Sequence, residues 1–104
     1  MKIDQYAVIG HPVAHSLSPV IHEAFAEQTG EALSYDRIEA PLDGFDDSIQ
    51  TFFDSGGRGC NVTVPFKGEA AAWVTRLDPE AAFAGAVNTI VREPAGSFMG
   101  FNKS

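Results

Sequence analysis

Short apolar runs, each stopped by a glycine or a proline, alternate along this chain with stretches whose apolar residues recur every three or four positions. Tyr6-Ala7-Val8-Ile9, closed by Gly10, predicts a strand buried on both faces. The loop HPVAHS follows it and leads to Ser18-Pro19, a helix start with a mechanism. A serine hydroxyl accepts from an orphan N–H, and proline suits the first helical position because its missing N–H had no partner there. This helix should run to about Gln28 with Gly30 as its stop, and Val20 with Ala24 and Ile21 with Phe25 form its apolar face.

Leu33 to Ala40, LSYDRIEA, alternates in character and predicts a second strand, ended before Pro41. Phe45, Ile49, Phe52 and Phe53 then share one face of a helix that Gly56-Gly57 terminates. A third strand is expected from Gly59 to Val64, and a third helix after Pro65 with Phe66, Ala70, Trp73 and Leu77 on one stripe. Ala86 to Arg92, AVNTIVR, is expected as a fourth strand, and Ser97 to Gly100 as a return strand after the turn Glu93-Pro94-Ala95-Gly96. Strands alternating with helices of this length imply right-handed crossovers and helices over the sheet. The expected fold is therefore α/β: a single three-layer domain over residues 1–104, with a mostly parallel mixed sheet of about five or six strands and helices on both faces.

Composition narrows what such a domain does. With 104 residues the chain holds one hydrophobic core, and its 44% hydrophobic and 20% charged residues are those of a folded protein. Fourteen acidic against seven basic residues give a net charge of −7, with no Lys/Arg cluster to track a phosphate backbone, which argues against nucleic acid as a partner. The one cysteine, Cys60, cannot form an internal disulfide, and MKIDQYAVIG resembles neither a signal peptide nor a membrane span. A cytoplasmic protein without a membrane partner is expected.

In open α/β sheets ligands bind beyond the carboxyl ends of the strands. The segments there are His11 to Ser18, Val64 to Lys67, Asn88 and Asn102. Ser16 and Ser18 flank a helix start, where unpaired N–H groups and the helix dipole favour an anion such as a carboxylate. Ser18 by itself is better explained as an N-cap; the pair leans toward function. His11, His15 and His22 do not have the spacing of a zinc site, and no metal is expected.

The segment NVTVPFK, Asn61 to Lys67, puts an amide and a hydroxyl into a run of valines. Alternation places Asn61 and Thr63 on one face and Val62 and Val64 on the other. Leaving such groups buried without partners costs about 1–3 kcal/mol each, so neighbouring backbone or a ligand must satisfy them. Lys67 brings an ammonium to the same rim, in a helix first turn where the dipole disfavours a cation, and it suits hydrogen bonding to a reacting hydroxyl or carbonyl. Gly56-Gly57-Arg58-Gly59 precedes a strand instead of following one, so a dinucleotide is not expected to bind these residues.

Taken together, YAVIGHPVAHSLSP, GGRGCNVTVPFK, AGAVNT and the closing GFN resemble the N-terminal substrate-binding domain of the shikimate dehydrogenase family over essentially the whole chain. The combination is far more specific than any one of its motifs. The resemblance implies an NADP-dependent oxidoreductase interconverting 3-dehydroshikimate and shikimate in aromatic amino-acid biosynthesis. It implies a first domain that holds the small-molecule substrate and a second, Rossmann-type domain, absent from this chain, that holds NADP. Carried over by position, Ser16 and Ser18 match the hydroxyls that hold the substrate carboxylate, and Asn61, Thr63, Lys67 and Asn88 match the residues around its ring hydroxyls. Lys67 matches the catalytic lysine.

The departure lies at the end. The family continues G-x-N-T-D-G, with an aspartate that partners the lysine, whereas here Gly100-Phe101-Asn102 is followed by Lys103 and Ser104. By count Ser104 stands at the aspartate's place, and the ending is taken as a cut between domains in preference to a natural fragment. Little or no turnover is expected of such a chain. Two alternatives keep the pocket: a non-catalytic module that senses shikimate or quinate, and a quinate/shikimate dual-specificity dehydrogenase.

Overall fold

The computed structural model describes residues 4–13 and 33–103. Their strands are β1 (Asp4–Gly10), β2 (Leu33–Glu39), β3 (Gly57–Val62), β4 (Arg76–Leu77), β5 (Thr89–Arg92) and β6 (Phe98–Phe101); their helices are α1 (Phe45–Asp54), α2 (Lys67–Trp73) and α3 (Pro79–Ala84). The helix expected over Pro19–Gln28 lies outside the described residues. The six strands form one mixed sheet in the order β2-β1-β3-β5-β6-β4. β1 is parallel to β2 and β3, and β4 to β6, whereas β5 is antiparallel to both β3 and β6. β5 therefore runs against the other strands, and the expected α/β class with a mostly parallel mixed sheet holds.

The apolar residues that defined the elements also assemble the core. Ala7 and Ile9 of β1, Cys60 and Val62 of β3 and Ile90 of β5 join Phe45, Ile49, Phe52 and Phe53 of α1 in one buried cluster, with Phe66 and Ala70 at and in α2. Aromatic rings tie this cluster together: Phe53 lies 5.8 Å from Trp73 and 4.7 Å from Phe98, and Phe45 lies 5.2 Å from Phe66. Asp46 and Asp47 occupy the first turn of α1, where the helix dipole favours negative charge. At its other end Gly56 takes φ +108°, a conformation that residues with a side chain rarely adopt, and the chain turns into β3.

Three expectations are corrected. The third strand starts and ends two residues earlier than expected, at Gly57 and Val62. Val64 leaves the sheet before Pro65 and is 60% exposed, its carbonyl accepting from His11 N–H at 3.1 Å. The third helix stops at Trp73, because Val74 is extended at ψ 158° and Thr75 N–H bonds Phe98 O. Leu77 thus lies in β4, partly exposed, instead of on a buried helical stripe.

The sequence also held an unread helix, α3. Asp78 caps it by accepting from Ala81 N–H at 2.9 Å, Pro79 opens it, and Gly85 closes it in the left-handed region at φ 65°. The fourth strand contracts to Thr89–Arg92 and its direction is reversed. β4 already completes the crossover from β3, so after α3 the chain re-enters the sheet the other way.

Candidate functional site

That reversal builds the site. Because β5 runs against β1, β3 and β6, its first residues lie at the same end of the sheet as the last residues of those strands. Asn88, one residue ahead of β5, is stitched there by backbone on both sides: its carbonyl accepts from Val62 N–H and its N–H donates to Phe101 O, both at 2.9 Å. Val87 N–H donates to Lys67 O at 2.9 Å, which fixes the first residue of α2 beside the same segment. Asn61, Thr63, Lys67 and Asn88 are thus brought to one end of the sheet from two separate stretches of sequence. Asn102 follows β6 at this end as well. Ser16, Ser18, His15, His22 and Ser104 lie outside the described residues.

Polar side chains gather on the face of β3 opposite the core cluster. In the sheet register Asn61 sits beside Val8 on one side and Thr89 on the other, while its neighbours Cys60 and Val62 point into the core. Tyr35 on β2 donates its hydroxyl to Asn61 Oδ1. Asn61 Nδ2 makes long hydrogen bonds to Thr89 Oγ1 at 3.4 Å and to Asn88 O at 3.5 Å. Thr89 Oγ1 in turn donates to Asn88 Oδ1 at 3.0 Å. Both ends of the Asn88 amide hold the Lys103 backbone: Oδ1 accepts from Lys103 N–H at 2.9 Å and Nδ2 donates to Lys103 O. The Lys103 ammonium lies 4.9 Å from the centre of the Phe101 ring, within the range of a cation–π contact.

Thr63 is positioned differently. Its N–H continues the ladder to Ile9 O at 3.0 Å, and its methyl group occupies the place where a side chain on Gly10 would begin: a Cβ there would lie 2.3 Å from Thr63 Cγ2. The glycine that closes β1 is therefore needed for close approach. Among the described residues neither Thr63 Oγ1 nor Lys67 Nζ has a hydrogen-bond partner, so both keep their full capacity for a ligand. Lys67 is half-buried as the first residue of α2, in the dipole field that its sequence position implied. His11, in the loop after β1, has Nδ1 2.9 Å from Ala40 O, a loop-bracing contact.

Burial above all, with a smaller contribution from Cys60, pushes the Tyr35 phenol well above its ordinary pKa, and burial does the same to the Cys60 thiol. Both stay protonated at neutral pH, so Tyr35 remains an O–H donor and Cys60 is no nucleophile. Among the described residues no group of three histidine, cysteine or acidic side chains is placed to hold a metal ion, and no helix is long and apolar enough to cross a membrane. Nor do these residues fit a dinucleotide. The glycines at 56, 57 and 59 lead into β3 and do not open a helix, so no phosphate-binding helix N-terminus follows them.

Reasoning from sequence missed Tyr35 and Thr89. Each carried a signal: Tyr35 is a phenol on a short alternating strand, and Thr89 adjoins Asn88 in AVNT. Neither points to the site until the strand order is known.

An α/β domain that gathers amides, hydroxyls and one ammonium beyond the ends of its strands is of the class that binds small polar molecules. Comparison with known proteins gives the family. A profile described as the shikimate dehydrogenase substrate binding domain matches residues 8–90, and the chain belongs to that family. It is 66% identical over 87 residues to the NADP(+) shikimate dehydrogenase of Cupriavidus necator, a match covering 84% of this chain and 30% of that protein. Among solved structures, shikimate dehydrogenase from Aquifex aeolicus superposes with a TM-score of 0.85 at 36% identity, covering 96% of this chain and 37% of the other. The Thermus thermophilus enzyme in complex with NADP(H) and shikimate gives 0.81 at 39% identity, with coverages of 96% and 38%. The chain spans about a third of the length of the relatives it matches.

Proposed function

We propose that this chain is the substrate-holding domain of an NADP-dependent shikimate dehydrogenase, which reduces 3-dehydroshikimate to shikimate with NADPH. The observation that carries the reading is the meeting of Asn61, Thr63, Lys67 and Asn88 at one end of the sheet, at the positions that match the family's ring-hydroxyl site. Ser16 and Ser18 supply the carboxylate contacts in this proposal. A carboxylated triol needs one anion site and several donors and acceptors, which is the set these six residues provide.

Lys67 is the proposed catalytic residue. An ammonium beside the reacting oxygen stabilises charge as the carbonyl is reduced and donates the proton that turns the oxyanion into the hydroxyl. NADP is assigned to a separate Rossmann-type domain, since the described residues do not form its phosphate site. With Ser104 at the place of the family's aspartate, no carboxylate partners the lysine from that position. Binding without turnover is therefore expected of the chain as it stands. Ser104 is also the one feature that favours a non-catalytic shikimate- or quinate-sensing module.

Titration of shikimate into the ¹⁵N-labelled chain tests the reading. Shifts are expected at Thr63, Lys67 and Asn88 and at Ser16 and Ser18. A spectrum that stays unchanged at millimolar shikimate overturns it. A parallel titration with quinate separates the shikimate-specific reading from dual specificity.

A further inference from the structure

We infer that Tyr35 is a positioning residue: its hydroxyl holds the Asn61 amide in the orientation that the Asn88 carbonyl requires, so that Asn61 meets a ligand hydroxyl as an acceptor while Asn88 meets one as a donor. The inference rests on the substrate-site reading above and extends it to residues and hydrogen-bond polarity.

The direction of every hydrogen bond in the row follows from groups that have no choice. Lys103 N–H can only donate and Lys103 O can only accept, so Asn88 must turn Oδ1 to the first and Nδ2 to the second. Thr89 lies 3.0 Å from that same Oδ1, an acceptor, so its hydroxyl proton points to Asn88 and its lone pairs are left for Asn61. The backbone carbonyl of Asn88 can likewise only accept, which requires Nδ2 of Asn61 on its side. Asn61 Oδ1 is thereby turned toward Tyr35, whose hydroxyl must donate. Burial of the phenol keeps that proton in place.

Counting capacity then gives the polarity. Both Nδ2 hydrogens of Asn61 are engaged, by Thr89 Oγ1 and by Asn88 O, and one Oδ1 lone pair is taken by Tyr35. Its second lone pair remains. Asn88 is the reverse: Oδ1 accepts twice, from Lys103 N–H and from Thr89, and Nδ2 donates once, to Lys103 O, so one N–H remains. Two neighbouring amides thus present opposite polarities, set by the Asn88 carbonyl and by the backbone segment after β6, and held on the Asn61 side by the phenol on β2. Vicinal hydroxyls, each able to donate and accept, fit such a pair. Without Tyr35 the Asn61 amide loses the partner that holds its oxygen.

The test is Tyr35→Phe, which keeps the ring and removes the donor. In the ligand-free ¹⁵N spectrum the Asn61 side-chain amide pair should move, with smaller changes at the Thr89 backbone and the Asn88 side chain, while the remaining dispersion shows an intact fold. Shikimate affinity should fall about tenfold, the scale of one lost hydrogen bond. In an Asn61→Ala background Tyr35→Phe should cost nothing more, because Tyr35 acts through Asn61. An unmoved Asn61 amide, or losses that simply add in the double variant, overturns the inference. Failure of the unaltered chain to bind shikimate rejects the substrate reading instead, and the ligand-free spectrum still decides the role of Tyr35.

Discussion

One strand serves two faces of this sheet. β3 turns Cys60 and Val62 toward α1 and α2, where they join the buried apolar cluster, and turns Asn61 the other way, where both ends of its amide are placed against partners of the right polarity. The core face tolerates any set of side chains that fills the volume, because dispersion and burial carry no direction. On the polar face hydrogen bonds have direction, and one changed group reorients its neighbours. Stability should therefore be lost by mutations on the first face, and recognition by mutations on the second.

The largest effect is expected from Phe53→Ala. Phe53 is fully buried between Phe52, Trp73 and Phe98, and its removal should cost about 3–5 kcal/mol, much of a small domain's stability. Urea unfolding would measure it; shikimate affinity of the molecules that remain folded should be unchanged. Lys67→Ala, made in a protein that also carries the nucleotide-binding domain, should lower kcat by about 10²–10⁴ with little change in KM, because its interaction strengthens in the transition state. Equal losses in both constants would reduce Lys67 to a binding group.

Gly10→Ala probes the seam between the faces. Its Cβ would meet Thr63 Cγ2 at 2.3 Å and Val64 O at 3.3 Å, so a stiff β-branched side chain and a backbone carbonyl must both yield. A stability loss of about 1–3 kcal/mol is expected together with weaker shikimate binding. Loss of stability alone would separate Thr63 from the site.

Arg92 belongs to the core side: its guanidinium donates to Phe53 O at the end of α1 and lies 5.6 Å and 5.8 Å from the centres of the Phe53 and Phe98 rings. Arg92→Met should cost about 1–2 kcal/mol in urea and leave ligand titrations unaltered. The smallest effect should come from Glu93→Gln on the hairpin surface. Arg76 foremost, then Ser97, hold the Glu93 carboxyl below its ordinary pKa. A carboxyl depressed in the folded state stabilises above its unfolded pKa, and that contribution is lost as pH falls through the folded value. The variant should be slightly less stable than the parent at neutral pH and equal to it in acid, as thermal melts across pH would show.

The core was the more legible face. Phe45, Ile49, Phe52 and Phe53 announce α1 by their spacing, and the polar residues in NVTVPFK announced that one side of β3 needed partners, because alternation is a local property of the chain. The motifs that resemble the family marked Asn61, Thr63, Lys67 and Asn88 before any fold was known. What misled was also local: Trp73 and Leu77 continue a helical spacing that pairing with β6 overrides.

The chain by itself determined which residues are apolar, where helices start and stop, and which few polar groups must find partners, since each follows from side-chain chemistry and short-range spacing. Only the tertiary structure decided that β5 runs against its neighbours. That single reversal carries Asn88 to the end of the sheet where Asn61 and Lys67 lie, and sets Thr89 between the two amides. Strand direction is fixed by which edges pair and by the crossover through β4, contacts distant in sequence, and the partner that holds Asn61 Oδ1, Tyr35, is 26 residues away. No local pattern encodes a partner at that distance.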